Sequence, residues 1–304
     1  MVPRYSLILL LAVFLMGCRP ATPSATAAPV IEEPSATEAP TTVPKYVALI
    51  RNAQYQLGLT DSLQIIQLTE GKFEQGAPGG TDYISVQMTD FVAAGDLDAD
   101  GVDEIVTLVS ENYGGTGVFV FLAVYTDVKG TPTFFTSAIV DDRPQLNAVS
   151  IENNEIFLDA VIHGTDEPMC CPTLRTTRHY RLVNDQLDMT DFVTFTPDGR
   201  PRTITVEAPA SGTEVFSSVQ VKGSVAISPF ENNLTYSIKD VGGVELSRGA
   251  ISVSATDPGA PGTFDAAIPL GNILSSAVII IEVQDVSAAD GSLLAMDSVE
   301  LVVK

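Results

Sequence analysis

The chain has 304 residues, with 38 Asp or Glu against 16 Lys or Arg, a formal charge of −22 at neutral pH and a pI near 4.2. So acidic a field repels phosphate backbones and anionic lipid surfaces, which excludes nucleic acid as a partner and favours cations and basic partners. Trp is absent, Gly (23) and Pro (19) are frequent, and Val, Ile and Thr recur in short runs between them, a composition of strands and turns.

In chain order, the first segment closes at Leu15-Met16-Gly17-Cys18. Arg4 gives it a positive start, Tyr5 to Met16 an apolar core too short for a comfortable membrane span, and Gly17 an accessible cleavage site. The pattern resembles a bacterial lipoprotein signal. That resemblance implies removal of residues 1–17 and acylation of Cys18 as the first mature residue. It implies a protein outside the cytoplasm, in the periplasm or at the cell surface, anchored to a lipid bilayer through that cysteine; a plain secretory peptide is the alternative. Residues 18–44 form a Pro-, Thr- and Ala-rich stretch with almost nothing apolar to bury. This is expected to be a disordered or polyproline-like tether, reaching roughly 80 Å at ~3.1 Å per residue.

From Lys45 short apolar runs alternate with turn residues, and residues 45–195 read as an all-β domain of hairpins and meanders. Leu63 to Leu68 and Phe73 flank Glu70-Gly71, Ile151 and Ile156 flank Asn153-Asn154, and Leu182 and Leu187 flank Asn184-Asp185. Each reads as a hairpin. Ile84, Val86 and Met88 alternate with polar residues, whereas Val118 to Tyr125 is continuously apolar, as in a strand covered on both faces. Val47 to Leu57 suits helix or strand equally. Thr194 to Arg202, with two prolines and Asp-Gly, reads as an interdomain link.

Residues 203–304 alternate more cleanly. Val219, Val221, Val225 and Ile227, then Leu234, Tyr236 and Ile238, point one way while their polar neighbours point the other. Seven or so strands, with turns at Gly242-Gly243, Asp257-Pro258-Gly259 and Asp290-Gly291, describe an immunoglobulin-like β-sandwich. Tyr236, Ile238, Asp240 and Gly243, followed by Gly259, Pro261, Gly262 and Phe264, make this segment resemble the bacterial spore-germination immunoglobulin-like domain. The resemblance implies a sandwich without a sheet-to-sheet cystine, and no catalytic residue is carried over from it.

Gly95 to Glu104 (GDLDADGVDE) places Asp96, Asp98 and Asp100 at alternate positions, with Gly101 for a sharp turn and Glu104 closing the loop. Alternate carboxylates converging on one centre, with the carbonyl of Val102 as a further oxygen, suit calcium. Thr107 stands where a helical calcium hand has its bidentate Glu, and Ile105 to Val109 reads as a strand. The segment instead resembles the calcium loop of FG-GAP and related repeats, here in a single copy. An acidic turn whose carboxylates bond nearby amides is the competing reading. Five acids in nine residues repel one another without a cation, which favours calcium.

His163 to His179 (HGTDEPMCCPTLRTTRH) holds both histidines and the two cysteines other than Cys18. Cys170 and Cys171 are adjacent, which leaves a vicinal disulfide, free buried thiols, or a metal or redox role open. Arg175, His179 and Arg181 share one face of an expected strand, where pairing with acids such as Asp159 is the plainest role. Tyr113 to Gly117 is a glycine-rich turn without a phosphate-loop ending, and no nucleophile motif is present.

These readings describe a lipid-anchored cell-envelope protein, a non-catalytic binding or structural module whose partner is an envelope protein or a polysaccharide. The alternative is an extracytoplasmic hydrolase or metal or redox protein using His163 to His179. An enzyme would gather that segment around one concave pocket; a structural segment would bury the cysteines and spread the histidines apart.

Overall fold

Val47 to Leu57, the segment suited to helix or strand, divides between the two. Pro44, tolerated in a first helical turn, falls in α1 (Val43–Ile50), and the chain then turns into strand β1 (Gln54–Gln56). The computed structural model of the chain describes residues 43–59, 64–128, 130–271 and 273–304. The signal segment, Cys18 and the tether as far as Thr42 lie outside the described residues. Among the described residues no helix is long and apolar enough to cross a membrane.

β2 (Ile65–Gln67) pairs with β1 and not with the strand that follows it. Glu70-Gly71 does form the expected turn, with φ of 53° and 81°. The expected hairpin around it nonetheless reduces to a single bridge, Thr69 to Lys72. The physical reason lies in the turn's own amides. Gly71 N–H donates to Arg51 C=O and Gly71 C=O accepts from Met88 N–H, so the turn docks on its surroundings and its two arms join different sheets.

β3 (Lys72–Gln75), β4 (Ile84–Gly95), β5 (Glu104–Asn112), β6 (Phe119–Val128) and β7 (Thr131–Asp142) form an antiparallel five-stranded meander. The continuous apolar run lies in β6 and is buried on both faces as expected. Ala123 and Tyr125 join a core with Ile50, Tyr55 and Leu68. Val120, Leu122 and Val124 face a second core with Ile156, Leu158 and Tyr180. Those partners come from the next meander, β8 (Gln145–Glu152), β9 (Glu155–Ile162), β10 (Leu174–Val183) and β11 (Gln186–Phe195). Its two tight turns match the expected hairpins: Ile151 pairs with Ile156 across Asn153-Asn154, and Leu182 with Leu187 across Asn184-Asp185. All four turn residues have positive φ, a conformation Asn and Asp tolerate.

The expected link at 194–202 is more ordered than a link need be. β12 (Pro201–Arg202) folds back onto β11, pairing Thr194 with Arg202. The immunoglobulin-like sandwich follows as β13 (Ile204–Ala208), β14 (Thr213–Val215), β15 (Ser218–Val225), β16 (Asn233–Asp240), β17 (Glu245–Ala255), β18 (Gly262–Pro269), β19 (Val278–Val286) and β20 (Leu293–Val303). β17 pairs with β16 over most of its length and with β18 at its end, so it passes from one sheet to the other. β14 runs parallel to the end of β20. Val221, Leu234, Ile238, Ile251, Ile268, Ile281 and Leu301 fill the core between the sheets. The described residues are all-β apart from short helical pieces, with the sandwich at the C-terminal end.

β11 pairs with β20 through Asp191–Asp297, Phe192–Met296 and Val193–Ala295. The second meander and one sheet of the sandwich are therefore a single hydrogen-bonded sheet, and the described residues form one compact unit. His179, Asp191 and Asp297 are consecutive register partners and share a face with Val299 and Leu301; Tyr180 faces the other way. The shared sheet is thus covered on opposite faces at its two ends, by the first meander and by the sandwich's second sheet.

Candidate functional site

The acidic loop spans β4 and β5. Its base is tight: a side chain at Gly95 would bring Cβ within 2.7 Å of Ile151 Cγ2. Asn154 Nδ2 donates to Asp96 C=O at 2.7 Å, tying the loop to the β8–β9 turn. Gly101 takes φ +87° and closes the turn as expected, and its N–H donates to Asp96 Oδ2 at 3.0 Å.

One carboxylate oxygen from each of Asp96, Asp98 and Glu104 lies within 4.8 Å of the other two. Asp100 stands outside this group, because its Oδ1 accepts the Val102 N–H at 2.7 Å. Asp98 makes the same kind of short turn with Asp100 N–H at 3.1 Å. These bonds are what the acidic-turn reading predicts. They leave two features over. Asp96 Oδ1 is buried and has no hydrogen-bond partner among the described residues. Glu104 is 2% exposed and, among the described residues, accepts only the Leu97 N–H, at 2.9 Å. Burial pushes the Glu104 carboxyl above its ordinary range, the Leu97 N–H opposes that, and the charges of Asp98, Asp100 and Asp96 add to it. Orphaned oxygen and crowded, desolvated carboxylates are both relieved by a hard cation, so the residues fit calcium.

The second candidate segment does not assemble. Cys170 and Cys171 form a vicinal disulfide on an exposed loop, beside exposed Met169; burial of the cysteines, expected of a structural segment, is not found. The short loop is held instead by Glu167, which accepts from Gly164 N–H and Thr173 N–H at 3.0 and 2.8 Å. The histidines are apart. His163 follows β9, with its ring 3.8 Å from Asp141 and both ring nitrogens buried without a hydrogen bond. His179 lies well along β10, opposite Phe157. The basic stripe is paired as expected: Arg175 with Asp159 at 3.1 Å, His179 with Asp191 at 3.3 Å and Arg181 with Glu155 at 2.9 Å.

Sequence reading missed two acids that the fold sets beside His179. Asp191 and Asp297 look like solvated strand positions, yet they are direct cross-strand partners, a like-charge pairing that is normally unfavourable. Asp191 bonds His179 and raises the imidazole pKa, and the charges of Asp191, Glu155 and Asp297 add to the rise. Asp297 is pushed up to about 6 by burial, against the N–H groups of Val206 and Ser298 and with the charges of Asp191 and Glu155. Since an unfolded Asp titrates near ~3.9, its contribution to stability is fully present below that pH and is lost as pH rises through about 6. Carbon-13 NMR of the Asp297 carboxyl should show a midpoint near that value, moving down in Asp191→Asn. A midpoint in the ordinary Asp range would contradict the burial argument.

Residues 203–292 match the family model of the immunoglobulin-like domain of bacterial spore germination. The match covers less than a third of the chain and agrees with the sandwich described above; domains of this kind are in general non-catalytic. No curated protein matches the chain.

Proposed function

We propose that the chain is a lipid-anchored, extracytoplasmic binding protein without catalytic activity, whose N-terminal region is braced by one calcium ion. The observation that carries the calcium reading is the buried, unpartnered Asp96 Oδ1 gathered with Asp98 and the desolvated Glu104. Calcium would be held by these three, and its contribution would be charge neutralisation between β4 and β5. Asp100 and the Val102 carbonyl, both part of the sequence pattern, are the further oxygens within the same loop.

The non-catalytic reading is supported by the immunoglobulin-like match, by the absence of His and Cys from residues 203–304, and by the separation of His163, the disulfide loop and His179. The anchor reading is supported by the apolar signal ending at Cys18 and by the proline-rich stretch after it. Cys18→Ser is expected to release the protein from the membrane fraction into the aqueous one. Unchanged membrane retention would overturn the anchor.

A further inference from the structure

β11 and β20 pair for three residue pairs and then part. A cleft of about 490 Å³ opens in the fork, walled by Thr203 to Thr205 at the start of β13 and floored by β10 and β11, within the size range of small-ligand sites. A hollow of about 370 Å³ shares His179 and Glu155 with it and is lined by Phe157. Phe157, His179, Asp191 and Asp297 are successive register partners, so they form one row across four strands. At ~4.8 Å per strand that row is roughly 14 Å long.

The cleft carries more acid than its own bases cancel. Arg181 is tied to Glu155 at 2.9 Å, leaving His179 against Asp188, Asp191, Asp297 and Glu300. An anion is repelled and a cation attracted. Among the described residues, only Asp96, Asp98 and Glu104 are gathered closely enough to hold a metal ion, so the carboxylates here suit an extended organic cation. The side-chain hydroxyls of Thr177, Thr203 and Thr205 line the cleft without a hydrogen bond among the described residues. Together with the ring of Phe157, tilted at 50° to the His179 ring with centroids 5.3 Å apart, they offer polar contacts and one apolar platform, the combination that a sugar ring uses and a bare polyamine does not.

We propose that this row binds a cationic amino-saccharide, its ammonium group between Asp191 and Asp297 and a sugar ring against Phe157. The assignment rests on the reading of the chain as a binding protein and names the partner class which that reading leaves open. The charged groups lining the cleft around Asp297 are Glu155, His179 and Arg181 from β9 and β10 and Asp188 and Asp191 from β11, with Glu300 on the opposite face of Asp297's own strand; β13 and β19 add none to the lining. The ammonium therefore competes with a proton, and binding weakens as pH falls below about 6.

The test is calorimetric titration of the mature chain at pH 6.5, where the sugar amines are largely protonated and Asp297 is largely ionised, with a deacetylated glucosamine tetramer, its N-acetylated counterpart and spermine. The deacetylated tetramer should bind, with Asp191→Asn and Phe157→Ala each weakening it about tenfold while circular dichroism confirms that both variants fold. No binding, or equal binding of the acetylated tetramer or of spermine, would overturn the proposal. Chromatography of the recovered tetramer separates the two readings. Bound, intact sugar supports both. Bound but cleaved sugar keeps the site and overturns the non-catalytic reading. Absent binding sinks the site alone, because the calcium and anchor tests do not involve this cleft.

Discussion

Replacing Glu111 with alanine is expected to destabilise the protein by about 3–5 kcal/mol, the sum of unmade buried hydrogen bonds and a cavity. Glu111 is fully buried. Its Oε1 accepts from the Tyr55 hydroxyl at 2.6 Å and from Gly58 N–H at 2.9 Å, and its Oε2 accepts from the Tyr113 hydroxyl. Burial raises the pKa of both phenols, and the neighbouring Glu111 raises them further, so they stay neutral donors throughout the physiological range. Alanine would leave two hydroxyls and an amide without an acceptor beside the fully buried Tyr55 ring, and would open a cavity as well. Tyr113→Phe removes one bond and keeps the volume, so it should cost only about 1 kcal/mol. Denaturant unfolding of the two variants checks the contrast. A Glu111→Ala protein within 1 kcal/mol of the parent would show that the three bonds are not what holds β1 to β5.

Calcium is expected to produce the next largest change. Binding to the folded state alone adds ~2.7 kcal/mol at 100 times Kd and ~4.1 kcal/mol at 1,000 times, so the melting temperature should rise with calcium and fall on chelation. The variants carry the sharper prediction, because one substitution acts with opposite sign in the two states. Asp98 is exposed and adds charge to a crowded group. Asp98→Asn should therefore hold or raise the stability of the metal-free protein while removing most of the calcium increment. A merely acidic turn predicts a small change of the same sign with and without calcium.

Much of this architecture was legible in local sequence. Asn153-Asn154 and Asn184-Asp185 announced their hairpins because two adjacent left-handed residues are a local requirement. The run at Val118 to Tyr125 announced a strand buried on both sides because no polar position interrupts it. Non-local choices were hidden. Nothing near Glu70-Gly71 says that β2 and β3 join different sheets, since that depends on the Arg51 C=O accepting from the Gly71 N–H and the Met88 N–H donating to the Gly71 C=O. The same holds at the site. The spacing of Asp96, Asp98 and Glu104 was readable, but not that Asp100 turns its carboxylate onto the Val102 N–H. Asp191 and Asp297 were invisible as partners because they lie 106 residues apart and meet only through the β11–β20 pairing.

The central claim is the calcium brace, and the most direct measurement is isothermal titration of calcium into the chelator-treated mature chain, alongside Asp96→Asn and Glu104→Gln. The account predicts one site per chain in the parent, and no measurable site in either variant although both stay folded. A parent protein that takes up no calcium at millimolar concentrations, or variants that bind it as well as the parent, would contradict the account.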